Sequence, residues 1–298
     1  MAEKMRIASA HQLALKNRNC IYCGITLTKE TRNREHVIGR NFVPPGSCSV
    51  NLIAWACFDC NGDKSNLEDD VSLISLLPAL GDQHSPDDPR LAEIVRKAKK
   101  AISRRTGKPV KDSTETLTVG GQIFPGVNVT FNLMSNPQTD SERVGLLAMH
   151  HVQAFFYFTT YNSETQTGAC FPGTFSVVGD YRRPDWGNPR LGAFMSHTKD
   201  WDPRVSVLGN DSYFRIISRR NLPLDLWSWA VEWNKNFRVC GFFGAEALVD
   251  EATAAMPKLR MKDVGSSGNS HFRMRMEEGL PDKEDILFHV SEEQVEAA

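Results

Sequence analysis

Two pairs of cysteines with the same internal spacing are the most specific chemical feature of the sequence. Cys20 and Cys23 form one C-x-x-C pair, and Cys57 and Cys60 form the other. Four thiolates from two such turns can surround one zinc ion in a closed tetrahedral shell that leaves no position for a substrate water. The pairs therefore predict a structural zinc site, with chance pairs of buried cysteines or a redox dithiol as the alternatives. The total of seven cysteines is odd, which argues against a disulfide framework.

A second group of polar residues lies between and just after these pairs. Glu35 and His36 are neighbours, Asn51 opens an apolar run into the second pair, and Asn61 and Lys64 follow that pair. The imidazole of His36 has an ordinary pKa near 6.5, so a neutral, proton-accepting ring is available at pH 7. Taken singly, each residue also has a structural explanation: a surface ion pair for the first two, a helix N-cap, or a turn.

The order of these residues resembles the HNH, or ββα-metal, nuclease family. In that family an acidic residue and a His are followed by an Asn and then by a His or Asn, and in many members zinc knuckles bracket the motif. The resemblance covers residues 18–66 and implies a zinc-stabilised module of two strands and a helix. Two residues depart from the common pattern, since Glu35 stands where Asp is commoner and Asn61 stands where many members have His. Both departures bear on the choice of metal.

The resemblance also implies a role for each residue of the motif. His36 would activate the water that attacks a phosphodiester, and Asn51 would orient the imidazole of His36 by a hydrogen bond. Glu35 and Asn61 would bind a catalytic Mg²⁺ or Mn²⁺, and both present the oxygen atoms that such cations prefer. The cation would bridge the scissile phosphate and the leaving oxygen. DNA is the implied substrate, with RNA as an open alternative.

A net charge of −1 conceals a strongly basic region. Residues 90–111 hold nine basic side chains against one acidic side chain, and the apolar residues of 90–105 recur at helical spacing. The spacing predicts an amphipathic helix, whose polar face is either simply solvated or in contact with nucleic acid. Together with basic residues of the motif, this helix supplies the predicted phosphate contacts, which are Arg34, Arg40, Lys64, Arg96, Lys97, Lys100 and Arg104.

The pattern along the chain predicts an α+β protein in three parts. Residues 1–80 form the nuclease module, in which residues 3–17 are helical and a further helix begins at Ser65 or Asn66. Residues 81–136 form a connector that contains the basic helix and a hairpin. Residues 137–298 form an α+β domain with antiparallel strands and an acidic tail.

Within the C-terminal part, Asp140 or Ser141 is predicted to cap a helix that contains His150 and His151. We interpret this pair as partly buried helical residues rather than metal ligands. Alternating apolar residues predict strands at residues 174–178, 205–208, 213–218, 226–233 and 237–243, followed by a helix over 245–256 and a flexible linker over 265–270.

Composition narrows the class of protein further. The chain of 298 residues is 41% hydrophobic and 24% charged, which is ordinary for a globular protein and excludes a collagen, a coiled-coil rod or a wholly disordered chain. Its apolar runs fall short of the roughly 20 residues that span a membrane. The first residues lack the apolar stretch of a secretory signal, so a cytoplasmic location is the default expectation.

These observations favour a metal-dependent HNH endonuclease, of the kind found in restriction, mobile-element or antiviral-defence systems. A zinc-knuckle protein that binds nucleic acid without cutting it is the first alternative. In a second alternative, the C-terminal domain senses a small molecule or a protein and the nuclease responds. The sequence leaves open whether the protein forms an oligomer.

Overall fold

The computed structural model describes residues 6–7, 13–42, 51–77, 97, 100–113, 115–135, 140–209, 213–267 and 270–291. Within these residues, runs of one to four strands are separated by single α-helices. They are β1 Arg6–Ile7, β2 Leu13–Ala14, β3 Arg32–His36, β4 Leu52–Cys57, α1 Phe58–Ile74, β5 Glu115–Phe124, β6 Val127–Ser135, α2 Ser141–Thr160, β7 Thr174–Arg182, α3 Pro189–Thr198, β8 Asp202–Gly209, β9 Phe214–Asn221, β10 Leu226–Trp233, β11 Phe237–Gly244, α4 Glu246–Ala254, β12 Met261–Ser267 and β13 Ser270–Arg275.

Among the described residues, a sheet of three short strands and one α-helix form the N-terminal part. β2 pairs with β4 in parallel and β3 pairs with β4 antiparallel, which gives the strand order β2-β4-β3. The first cysteine pair lies in the turn between β2 and β3, which a bridge between Asn19 and Thr26 closes. β4 runs directly into α1, because Cys57 ends the strand and its sulfur also caps the helix by accepting a hydrogen bond from the Cys60 N–H. The strand pairing and this junction therefore bring the two cysteine pairs together.

Two local predictions for this part are wrong. Residues 3–17 are not one helix, since β1 pairs with β8 and β2 pairs with β4. α1 begins after β4 and continues past Ser65 and Asn66, where the sequence predicts the start of a separate helix. The helical propensity of such short segments is a weak preference, and pairing with strands distant in the sequence outweighs it.

The predicted basic helix is shorter than its apolar spacing suggests. Lys97 is helical, but the chain turns at Lys100, and Ile102 forms an isolated bridge with Pro109. Residues 101–105 are therefore not helical. Residues 78–96, which include Arg96, lie outside the described residues. The hairpin predicted to follow is confirmed, since β5 and β6 pair antiparallel.

A mixed sheet of order β1-β8-β9-β10-β11-β7 forms the centre of the C-terminal part. Every residue of β10 and β11 is buried, because both faces of the sheet are covered. Trp227, Trp229 and Trp233 share one face with the apolar side of α2 and with residues of the cysteine-bearing module. The opposite face packs against α3 and α4. The sheet therefore separates two hydrophobic layers, and one of them is continuous with the N-terminal part.

Most predictions for this part are confirmed. Asp140 caps α2 by accepting hydrogen bonds from the N–H groups of Glu142 and Arg143, and the five predicted strands correspond to β7 to β11. The α+β class with an antiparallel sheet is also confirmed. The linker predicted over residues 265–270 is wrong, since β12 and β13 pair antiparallel across it. None of the helices in the described ranges is long and apolar enough to cross a membrane.

Two asparagines at the β10–β11 turn join the sheet to the end of α1. Asn234 donates its amide hydrogens to the Ser75 hydroxyl and to the Ser72 carbonyl. Asn236 donates to the carbonyl groups of Ser75 and Leu77. Because both asparagines are buried, these hydrogen bonds satisfy polar groups that water cannot reach. They fix α1, which carries most of the candidate site, against the central sheet.

The cap of α2 generates a stability prediction. We expect Asp140→Ala to lower the free energy of unfolding by about 1 kcal/mol, because the first N–H groups of the helix lose their acceptor. The matched control is Asp250→Ala, at an exposed position inside α4, which should change stability by less than about 0.5 kcal/mol. Urea unfolding followed by circular dichroism measures both, and equal losses would contradict the capping role.

Candidate functional site

The four cysteine sulfurs form one compact cluster. The Sγ atoms of Cys20, Cys23, Cys57 and Cys60 all lie within 4.8 Å of one another, and those of Cys23 and Cys57 are 3.8 Å apart. Tetrahedral coordination with Zn–S bonds of about 2.3 Å places sulfurs roughly 3.8 Å apart. This four-cysteine cluster could therefore bind a structural metal ion such as zinc, as the spacing of the pairs predicts.

Backbone hydrogen bonds and burial act on the pKa values of these thiols. The Sγ of Cys20 accepts hydrogen bonds from the N–H groups of Tyr22 at 3.4 Å and Cys57 at 3.3 Å. Burial raises the pKa of Cys20 to about 11, and burial together with the Cys57 thiol also raises the pKa of Cys60. The raised pKa values of Cys20 and Cys60 therefore disfavour their thiolate forms in the absence of a cation. A metal ion would supply the positive charge that the cluster lacks.

Beside this cluster, an open cavity of about 180 Å³ gathers most of the sequence-predicted polar residues. The end of β3, the segment after it and the first three turns of α1 supply its walls. The lining residues are Arg34, Glu35, His36, Gly39, Arg40, Asn61, Lys64, Ser65 and Glu68. The predicted acid, base, amide and two arginines therefore reach one cavity, although their sequence separation approaches thirty residues.

Three charged side chains are buried together at the base of the cavity. Glu35 is 3% exposed, and its Oε1 lies 2.9 Å from Lys64 Nζ and accepts a hydrogen bond from the Tyr22 hydroxyl at 3.1 Å. Lys64 is 1% exposed, and its Nζ also lies 2.5 Å from Glu68 Oε1. Burial opposes the charge on Lys64, but the carboxylates of Glu68 and Glu35 raise its pKa. The Lys64 ammonium is therefore bound to two carboxylates in this structure, and its predicted contact with phosphate stays a prediction.

The backbone at Gly39 makes room for Glu68. A Cβ atom at position 39 would lie 2.4 Å from Glu68 Oε2, far inside contact distance. Burial raises the pKa of the Glu68 carboxyl, and the Lys64 ammonium and a backbone hydrogen bond from Gly39 oppose that shift. An alanine at position 39 would therefore displace the Glu68 carboxylate, which its ion pair with Lys64 holds there.

The imidazole of His36 lies at the edge of the cavity and is partly exposed. Partial burial and then the guanidinium groups of Arg40 and Arg34 lower its pKa below the ordinary value near 6.5. Both arginines are exposed at the mouth of the cavity, where they can meet an anionic ligand. The electrostatic environment therefore keeps His36 neutral and proton-accepting at pH 7.

Asn51 does not contact the imidazole, which corrects its predicted role. Its Oδ1 accepts a hydrogen bond from the Ile38 N–H at 3.0 Å, and its amide nitrogen donates to the Ile38 carbonyl at 2.7 Å. Both polar atoms are therefore committed to the main chain just beyond His36. Asn51 fixes the path of that segment and positions the ring only indirectly.

Of the remaining basic candidates, the described ones, Lys97, Lys100 and Arg104, are not among the residues that line the cavity. Arg104 lies 3.5 Å from the Asp69 carboxylate, and its backbone N–H donates to Asp70 at 3.0 Å. Lys100 is exposed, and Lys97 is partly buried. This segment packs beside α1 rather than extending from the module as a continuous basic helix.

Two residues of the site escape sequence reasoning. Glu68 lies one turn beyond Lys64 on α1, and this i, i+4 spacing of opposite charges is a signal that could identify it. Tyr22 lies between the first two cysteines, and nothing in its local sequence indicates the bond to Glu35. Its ring also meets the His150 ring edge-on at 4.8 Å between centroids. Burial lowers the pKa of His150 to about 4, consistent with its interpretation as a helical residue of the interior.

The sulfur cluster predicts a metal content that depends on Cys23 but not on Cys170. Both cysteines are exposed and lie near the same turn, since Cys170 donates to the Tyr22 carbonyl at 3.4 Å. Cys23→Ser should lose bound zinc and lower the free energy of unfolding by on the order of 3 kcal/mol or more. Cys170→Ser should keep the metal. Elemental analysis after dialysis measures both variants, and equal zinc content would contradict the assignment.

The close approach at Gly39 predicts opposite effects at two glycines. Gly39→Ala should lower the free energy of unfolding by about 1–3 kcal/mol, because the methyl group overlaps the Glu68 carboxylate. Gly62→Ala meets nothing within 4 Å and lies in α1, so it should stabilise the protein by up to about 1 kcal/mol. Thermal unfolding compares the two variants, and a harmless methyl group at position 39 would show that Glu68 is not held there.

Comparison with protein-family models, with curated proteins and with solved structures finds no match for this chain. The interpretation of the site consequently depends on its own residues: the four-cysteine cluster, the neutral imidazole of His36, and the carboxylates and amide that line the same cavity.

Proposed function

We propose that this protein is a metal-dependent endonuclease of the HNH type that hydrolyses phosphodiester bonds in DNA. One observation carries the proposal: the cavity beside the four-cysteine cluster is lined by a neutral imidazole, oxygen ligands and two exposed arginines. Hydrolysis of a phosphodiester requires groups of these three kinds, for water activation, cation binding and phosphate binding.

The donors in the cavity fit a hard divalent cation. Glu35 offers carboxylate oxygens and Asn61 offers an amide oxygen, and the open cavity leaves room for the waters that Mg²⁺ retains. When bound, Mg²⁺ or Mn²⁺ would neutralise charge on the scissile phosphate and stabilise the leaving oxygen. These residues fit such a cation better than a softer metal, since none of the described residues that line the cavity is a cysteine.

The protein's own groups then have separate tasks. His36 takes the proton from the attacking water, because its depressed pKa leaves the ring nitrogen unprotonated at neutral pH. Arg34 and Arg40 bind the phosphates on either side of the scissile bond and exclude other orientations. Asn51 keeps the segment after His36 in place through the Ile38 main chain.

The C-terminal sheet is the proposed element of targeting or regulation, with DNA, a small molecule or a protein as its partner. Its support is the packing of α2 against α1, which connects the sheet to the helix that carries Asn61. A nuclease that needs such control fits restriction, mobile-element or antiviral-defence systems.

A second candidate function is nucleic-acid binding without cleavage. This candidate is favoured by the ion pair between the Lys64 ammonium and Glu35. Glu35, the proposed ligand of the catalytic cation, already has a cationic partner. In that case the arginines and the cysteine-bearing module would bind nucleic acid, and the carboxylates would only stabilise the fold.

His36 separates the two functions. With Mg²⁺ or Mn²⁺ and supercoiled plasmid, we expect His36→Ala to lower the cleavage rate at least about 100-fold, the scale of a lost general base, and to leave DNA binding intact. His289→Ala is the matched control, since that side chain is exposed and lies far along the chain from the cavity lining. Plasmid left intact by the wild type under both metals, while binding persists, would favour the second function.

The pH dependence of cleavage provides a further criterion within this experiment. Because a lowered pKa means that His36 loses its proton at lower pH, the rate should rise with pH in the acidic range and level off above a midpoint below 6.5. Cleavage rates measured between acidic and neutral pH test this, and a rate independent of pH across that range would contradict the assignment of His36 as the base.

A further inference from the structure

The ammonium of Lys64 is bound to the Glu35 carboxylate, which the proposed function assigns as a ligand of a divalent cation. Its Nζ lies 2.9 Å from Glu35 Oε1, 2.5 Å from Glu68 Oε1 and 3.3 Å from the His36 carbonyl oxygen. An ammonium has three hydrogens to donate, so these three acceptors satisfy it completely. Lys64 is therefore bound as a cation inside the site.

The formal charges of Glu35, Glu68 and Lys64 do not cancel one another. Glu35 and Glu68 contribute two negative charges and Lys64 one positive charge, so the cluster carries a net charge of −1. An ammonium and a divalent cation on the same carboxylate would repel each other strongly in a poorly solvated site. Binding of a divalent cation at Glu35 therefore requires Lys64 to give up that oxygen.

Glu68 is placed to receive the displaced ammonium. It lies one helical turn from Lys64 on α1 and already holds the shorter of the two ion pairs. A backbone hydrogen bond from Gly39 also holds its carboxylate, so Glu68 keeps a second anchor when Lys64 leaves Glu35. The movement needs only rotation about bonds of the lysine side chain, because both carboxylates are already within reach.

We propose that Lys64 is a positioning residue that competes with the catalytic divalent cation for Glu35, and that Glu68 retains the ammonium when the cation binds. The inference rests on the proposed function. Lys64 then sets the affinity of the site for the cation and keeps the Glu35 carboxylate in place while no cation is bound. Glu68, which the nuclease motif does not include, becomes part of the site.

Magnesium affinity, measured without DNA, tests the competition. Isothermal titration of the zinc-loaded full chain with Mg²⁺ should give at least about tenfold tighter binding for Lys64→Met, the scale on which one nearby charge moves another equilibrium. Glu68→Gln should bind Mg²⁺ at least about tenfold more weakly, because the displaced ammonium loses its acceptor. Asp69→Asn is the matched control, since its carboxylate is exposed on the same helix and should change the affinity less than about twofold.

A measurement on the unaltered protein protects the test against variants that fail to fold. In lysine-labelled wild-type protein, the NMR signal of the Lys64 ammonium should shift as Mg²⁺ is added and saturate with the same dissociation constant as the calorimetric titration. An ammonium signal that stays unchanged while Mg²⁺ saturates the protein would overturn the inference, as would equal or weaker Mg²⁺ binding by a folded Lys64→Met variant.

The outcomes also distinguish this inference from the proposed function. Mg²⁺ binding and plasmid cleavage that do not depend on Lys64 would overturn the inference and leave the nuclease standing. Mg²⁺ binding by Lys64→Met but not by the wild type, without cleavage by either, would support the competition and overturn the nuclease. Absence of Mg²⁺ binding by both proteins would overturn both.

Discussion

The position of α1 is set at the residue where β4 ends. Cys57 is at once the last residue of the strand, the cap of the helix and a member of the sulfur cluster, so a metal ion held by the four sulfurs would fix the direction in which α1 leaves. Asn61, Lys64 and Glu68 follow on that helix at positions that face the end of β3. A small change of angle at Cys57 would move all three side chains relative to Glu35 and His36. The geometry of the cavity thus depends on a metal ion bound by the four cysteines, although none of these cysteines lines the cavity.

A buried group of charges is an unusual way to stabilise a fold. Replacement of buried ion pairs by apolar side chains of similar volume is often neutral or stabilising, because removal of charges from water is costly. Glu35, Lys64 and Glu68 are nevertheless enclosed together, and Tyr22 adds a hydrogen bond to one of them. Stability alone does not explain this arrangement, whereas a site that must hold a cation needs ionised carboxylates at fixed positions. The electrostatic cost is therefore an argument for function at this cavity.

Spacing within the sequence predicted those parts of the site that depend on local geometry. The two C-x-x-C pairs predicted the sulfur cluster, and Asp140 predicted the start of α2, because turns and caps involve residues close along the chain. Burial of Lys64 was not predictable in the same way, since its partner Glu35 is on another element and the enclosing wall includes Gly39. The strand character of residues 6–7 likewise depends on β8, about two hundred residues away. Local sequence patterns carry no information about partners that are distant in the sequence. The sequence therefore did not predict the burial of Lys64 or the strand at residues 6–7, because tertiary contacts determine both.

The contacts of Tyr22 connect the cavity to the C-terminal sheet. Its hydroxyl binds Glu35, its carbonyl accepts a hydrogen bond from the Gln153 side chain, and its ring meets His150, so one residue of the module contacts both the acid of the site and α2. α2 in turn covers the tryptophan face of the sheet, and Arg143 on its first turn pairs with Asp70 on α1 at 2.9 Å. A displacement of α2 would therefore act on Glu35 through Tyr22 and on α1 through Asp70. This double connection supports the proposal that the C-terminal part regulates the site, because α2 contacts both the partner of Glu35 and the helix that carries Asn61.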